Sequence, residues 1–179
     1  MKFIISITIF SFLFAASSCT KDDATGTTIS NTPSTAAPNG LVGNWSSGYS
    51  SMTEIIDAYN GQYVGNAWVS GKFFKITSDG KQDEFYYSGE SQNLQSATKA
   101  TGTIAFDAGS TASSGSFTFY ANWGHFNAWG STRINRDASK DELANQLTAK
   151  YYYQMDGDWL RIEPKNPVND YSSSFEVIE

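Results

Sequence analysis

Ser116-Phe117-Thr118-Phe119-Tyr120-Ala121-Asn122-Trp123 places Phe117, Phe119, Ala121 and Trp123 at alternate positions. A period of two belongs to a β-strand with one face turned toward a core. Upstream, residues 101–107 set Ile104 and Phe106 on one face. Residues 83–87 do the same with Phe85 and Tyr87, and residues 68–77 with Phe74 and Ile76. Asp79-Gly80 supplies a turn between the last two, and the small residues of 109–115 form a loop. Downstream, a strand is expected over about 128–135, then a hairpin pairing 150–155 with 159–163 around Asp156-Gly157-Asp158, and a last strand over 174–178.

Helical periodicity is scarce. Ser139 and Glu142 have the spacing of a capping box, and Leu143 and Leu147 share a face four residues apart. One short helix is therefore expected over about 139–147, before the last strands. Residues 51–64 admit two readings. Asn60-Gly61 suits a hairpin turn, whereas Ser51 and Glu54 suit a helix start. Eight to ten short antiparallel strands with turn signals make an all-β sandwich or barrel.

The chain of 179 residues opens with Met1-Lys2 and an apolar run over 3–16. That run is shorter than the roughly 20 residues a membrane span requires, and it reads as a secretory signal peptide over 1–18. Beyond it, eleven Lys and Arg face eighteen Asp and Glu, a net charge of about −7. So acidic a chain has no basic stripe for nucleic acid. Cys19 is the only cysteine, so no disulfide within the chain can form. Five Trp, ten Tyr and twelve Phe provide the core instead. Residues 24–40 contain Thr, Ser, Ala, Asn, Gly and Pro with nothing apolar larger than Ile29. With Cys19 they read as a flexible linker over 19–40, ahead of a single domain over 41–179.

Ala16-Ser17-Ser18-Cys19 resembles a bacterial lipobox, with Ala16 where lipoboxes favour Leu. The resemblance implies that Cys19 is lipidated and anchors the chain to a membrane. Lys21-Asp22-Asp23 is similar to the export tag of some Gram-negative surface lipoproteins, which implies the outer membrane and its outward face. Gly43-Asn44-Trp45, the meandering hairpins, and Tyr153-Gln154-Met155-Asp156-Gly157-Asp158-Trp159-Leu160 resemble the lipocalin-like domains of bacterial lipoproteins. The resemblance implies an antiparallel barrel of about eight strands. Trp45 would close one barrel end beside Gly43, and Arg161 is a candidate to pack on it. The Thr-Asp-Tyr motif of lipocalins is missing.

Chemistry is harder to find. His125 stands alone among aromatics, no metal-ligand spacing accompanies it, and no nucleophile elbow or phosphate loop is present. The expectation is a non-enzyme without metal or cofactor. Two binding regions suggest themselves. One is the inward face (Phe74, Ile76, Phe85, Ile104, Phe106, Phe117, Phe119, Leu160 and Ile162), either a filled core or a cavity for a small apolar ligand. The other is 123–130, where Trp123, His125, Phe126 and Trp129 lie among Gly and Asn at an expected strand connection. Flat rings beside amides suit a protein partner or a glycan. The leading expectation is a lipid-anchored lipoprotein whose barrel binds a small apolar molecule or a protein. A glycan binder using 123–130 is the alternative, and an enzyme without a recognisable motif comes third.

Overall fold

A computed structural model describes residues 28–29, 31–48, 71–91, 94–130, 133–164, 168 and 173–178. Both readings of 51–64, and Cys19, lie outside these residues. Nine strands follow in order: β1 (Gly43–Gly48), β2 (Gly71–Ile76), β3 (Asp83–Ser91), β4 (Leu94–Phe106), β5 (Ser114–Gly130), β6 (Ile134–Asp137), β7 (Ala149–Asp156), β8 (Trp159–Glu163) and β9 (Ser173–Ile178). Every pairing is antiparallel. β4 pairs with β5, β5 with β7, and β9 with β1, so eight strands close an up-and-down barrel while β6 hangs on the far half of β5. Closure leaves those eight strands no free edge along most of their length.

The expected inward face is the observed one. Phe74, Ile76, Ile104, Phe117, Phe119, Leu160 and Ile162 are buried in one cluster, with Phe85 and Phe106 packed against it. Tyr151, Tyr153 and Phe175 join them. The expected strand break near 123–128 is absent, and β5 runs without interruption for 17 residues. Its first part pairs with β7 through Phe119, and its last part pairs with β6 from His125.

Between these parts β5 carries a bulge. Thr101 lies opposite Trp123 and Gly102 opposite Ala121, so Asn122 is the extra residue. A bulge shifts the alternation by one. Trp123 therefore leaves the face of Phe117, Phe119 and Ala121, contrary to the expectation, and Gly124 takes up the inward position. Gly102 is required here, because a Cβ would strike the backbone carbonyl of Tyr120.

Gly124 lies close under the residues that follow β6. A Cβ would displace the end of the Leu147 side chain and crowd Ala138 and Leu143. Those leucines belong to the expected helix, which consists of one α turn, α1 (Lys140–Glu142), continued by a π turn (Leu143–Leu147). The capping box is complete: Ser139 N–H donates to Glu142 Oε2 at 2.8 Å, and Glu142 N–H donates to Ser139 Oγ at 3.3 Å. Arg136 holds the same carboxylate with two hydrogen bonds of 2.8 and 2.7 Å.

The Arg136 guanidinium, and then the Ser139 N–H, lower the Glu142 carboxyl from its ordinary 4.5 to about 2. A depressed folded-state value contributes stability above the ordinary value, and that stability is lost as pH falls toward the folded one. Thermal unfolding followed from pH 5 to pH 2 is expected to show a falling midpoint that Glu142→Gln flattens. Identical pH profiles for the two proteins would contradict this role. Ser139→Ala should cost about 1 kcal/mol at neutral pH.

Residues 31–40, expected to be a free spacer, are instead fastened to the barrel. β3 pairs with β4 only as far as Gly102, which leaves the edge of 103–106 without a strand. Buried backbone groups need partners, and the upstream chain supplies them. Thr35 N–H donates to Ile104 O at 3.0 Å, Phe106 N–H donates to Thr35 Oγ1 at 2.7 Å, and Thr103 Oγ1 donates to Pro33 O at 2.7 Å. Ile29 N–H reaches Asn122 O at the bulge, 2.8 Å away, and Ile29 and Ala37 pack against the core. The remaining donor, Ile104 N–H, is held by Gly80 O and by the fully buried carboxylate of Asp83, each at 2.9 Å. Burial raises the Asp83 carboxyl, against hydrogen bonds from Thr77 and Ile104 that favour its ionised form.

Candidate functional site

The barrel interior is the first candidate, and rings occupy it. Phe117 has Phe74, Phe106, Tyr151 and Tyr153 around it at centroid separations of 6.0, 5.5, 5.5 and 6.1 Å. Phe74 continues the array to Phe85 at 4.8 Å and Phe175 at 5.6 Å, and Phe85 reaches Phe119 at 6.3 Å. These are contact distances for aromatic pairs. Phe117 and Phe119 are 1% and 0% exposed, so both expected ligand residues are core residues. Tyr153 keeps its hydroxyl satisfied by donating to Thr111 O at 2.6 Å. Tyr151 and Tyr153 were not anticipated as inward-facing, although Tyr151, Tyr153 and Met155 share the period of two.

Trp45 belongs to the same buried cluster. It is 2% exposed, and its Nε1–H donates to Leu41 O at 2.9 Å. Gly43 beside it has φ +152, a conformation L side chains rarely adopt, while a Cβ would meet nothing nearer than Trp45 Nε1 at 3.8 Å. Conformation, not close approach, is the reason for glycine here.

The second candidate, 123–130, lies within β5 and not in a connection, so its residues divide between two faces. Phe126 packs against the core, and Arg136 lies over its ring, 5.2 Å from the centroid. Trp123 and His125 share the opposite face, stacked with centroids 6.1 Å apart and planes 29° from parallel. The His125 ring is spanned by two side chains of β6. Nδ1 lies 2.7 Å from Asp137 Oδ1, and Nε2 lies 2.9 Å from Asn135 Oδ1. With both ring nitrogens engaged, the imidazole is set as a brace between β5 and β6. Trp129 lies opposite Gln95 in the same ladder. Phe126 is thus parted from Trp123 and His125.

A third region was not anticipated. Trp159, at the start of β8, is 47% exposed, as is Val42, and Val177 is 57% exposed. Trp159 lines two open depressions. The larger, about 580 Å³, opens at the barrel end and includes Met155, Asp158, Glu176 and Val177. The smaller, about 300 Å³, lies beside Asp156, Arg161 and Ser174. Arg161, considered as a partner for Trp45, donates from Nη2 to Asp156 Oδ2 at 2.6 Å. The signal was in the hairpin: Trp159 precedes Leu160 and Ile162, both inward, so the period of two turns it outward.

Comparison of the chain with protein-family profiles, curated proteins and solved structures finds no match.

Proposed function

We propose that this chain is a non-catalytic binding module with a lipocalin-like barrel, anchored through lipidated Cys19 in the outer membrane toward the cell surface, and that it takes its partner on the outside of the barrel. The observation that carries the last point is the ring array around Phe117. An eight-stranded barrel has room either for its own side chains or for one small ligand. Here four aromatic side chains stand within about 6 Å of Phe117, where such a ligand would sit. Of the two occupants expected, a small apolar molecule and a protein partner, the second therefore has the stronger support.

The anchor rests on Ala16-Ser17-Ser18-Cys19. Stable attachment takes at least two acyl chains, which a lipidated N-terminal cysteine provides. Cys19→Ala is expected to move the protein from the membrane fraction to the soluble one, and mass spectrometry of the wild-type N-terminus should find acyl mass. A Cys19→Ala protein that stays with the membrane would overturn the anchor. For the outside surface, the test is titration with a fluorescent fatty acid. Saturable uptake by the wild-type protein would return the ligand to the interior.

A further inference from the structure

We infer that Trp159 is the stacking platform of a binding site for neutral oligosaccharides, a conclusion that rests on the outside-surface reading above. A pyranose presents an apolar C–H face and a rim of hydroxyls. Its complement is an exposed flat ring with hydrogen-bonding groups set around it, in a shallow concavity. Trp159 is such a ring. Its two depressions extend the contact from the barrel end to the flank of β8, enough for more than one sugar unit.

The polar groups fit hydroxyls. On one side stand Asp158 and Glu176, and among the described residues no side-chain hydrogen bond engages either carboxylate. On the other, the Asp156–Arg161 pair and Ser174 offer donors and acceptors together. Three carboxylates against one guanidinium leave the site negative, so uronic or sialic acid units would be repelled. Aromatic rings at the centre of a contact carry most of its free energy, which assigns the main role to Trp159 and leaves the carboxylates to set specificity.

The experiment is calorimetric titration of the full chain with cellohexaose, maltohexaose, chitohexaose and, as the acidic probe, hexagalacturonate. At least one neutral hexaose is expected to bind, at least about fivefold tighter than the acidic probe. Trp159→Ala should weaken that binding at least about tenfold, the scale of a central aromatic contact. Because Trp159 is half exposed, this variant should melt close to wild type, which separates lost binding from lost fold. Asp158→Asn with Glu176→Gln should narrow the gap between neutral and acidic probes. No heat with any neutral hexaose overturns the inference, as does binding unchanged in Trp159→Ala or equal affinity for the acidic probe. Self-association abolished by Trp159→Ala without glycan binding overturns it in favour of a protein contact. A parallel fatty-acid titration keeps the two readings apart. Uptake there defeats the outside-surface reading, whereas silence there with no glycan binding defeats only the Trp159 site.

Discussion

Phe117→Ala is expected to lower the free energy of unfolding by about 3–5 kcal/mol, the range for truncating a buried aromatic. Phe117 is 1% exposed and lies among four other rings, three on the strands paired with β5 and one, Phe74, on β2, all within a closed sheet. Collapse around the missing ring is therefore restricted, which favours the upper part of the range. The variant should also gain a property. A cavity lined by apolar rings stays dry and accepts small apolar molecules. Benzene or xenon is expected to stabilise Phe117→Ala in thermal melts while leaving the wild-type midpoint nearly unchanged. Equal stabilisation of both proteins would mean that the barrel already contains space. A loss under about 1 kcal/mol would mean that Phe117 is not central to the packing.

Trp45→Ala is expected to cost a similar amount, about 3–5 kcal/mol, because it removes an indole that is 2% exposed within the core cluster. It should also uncover Leu41, which is 1% exposed and loses its indole donor. Trp45→Phe separates the two contributions. It retains an aromatic ring and loses the hydrogen bond, so most of its cost should be the roughly 1–3 kcal/mol of an unsatisfied buried carbonyl together with the lost ring area. Urea unfolding of the three proteins measures both. A Trp45→Ala loss below about 1 kcal/mol would place this indole outside the core and undercut the comparison with lipocalin-like domains.

The inward face was legible because period-two alternation survives wherever one strand face is apolar, as at Phe74 and Ile76 or Ile104 and Phe106. The helix was legible from Ser139 and Glu142, whose reciprocal bonds are local. What escaped depends on partners distant in sequence. Alternation through Trp123 continued on paper, but the bulge at Asn122 lies against Gly102, on another strand, where the Tyr120 carbonyl leaves no room for a Cβ. Because 123–130 continues as strand and is not a connection, Phe126 falls on the face opposite Trp123 and His125. Residues 31–40 look unstructured because they bury little of their own. Their order comes from the bare edge that β3 leaves on β4, which no composition reveals. Trp159 carried a readable outward parity, yet its exposure depends on how β8 and β9 meet at the barrel end.

The fastened segment also sets the length of a leash. A fully extended chain spans at most about 3.6 Å per residue. From Cys19 to Leu41 a free linker could pay out roughly 75 Å, whereas from Cys19 to Ile29, where the barrel already grips the chain, it has at most about 35 Å. For a protein anchored at Cys19, the space it can sweep shrinks to about a tenth, which raises its effective concentration toward anything held in the same membrane. The same segment runs from Ile29, bonded at Asn122, to Gly40, which lines the Trp159 depression, so on a chain anchored at Cys19 that depression lies at the far end of the fastened stretch.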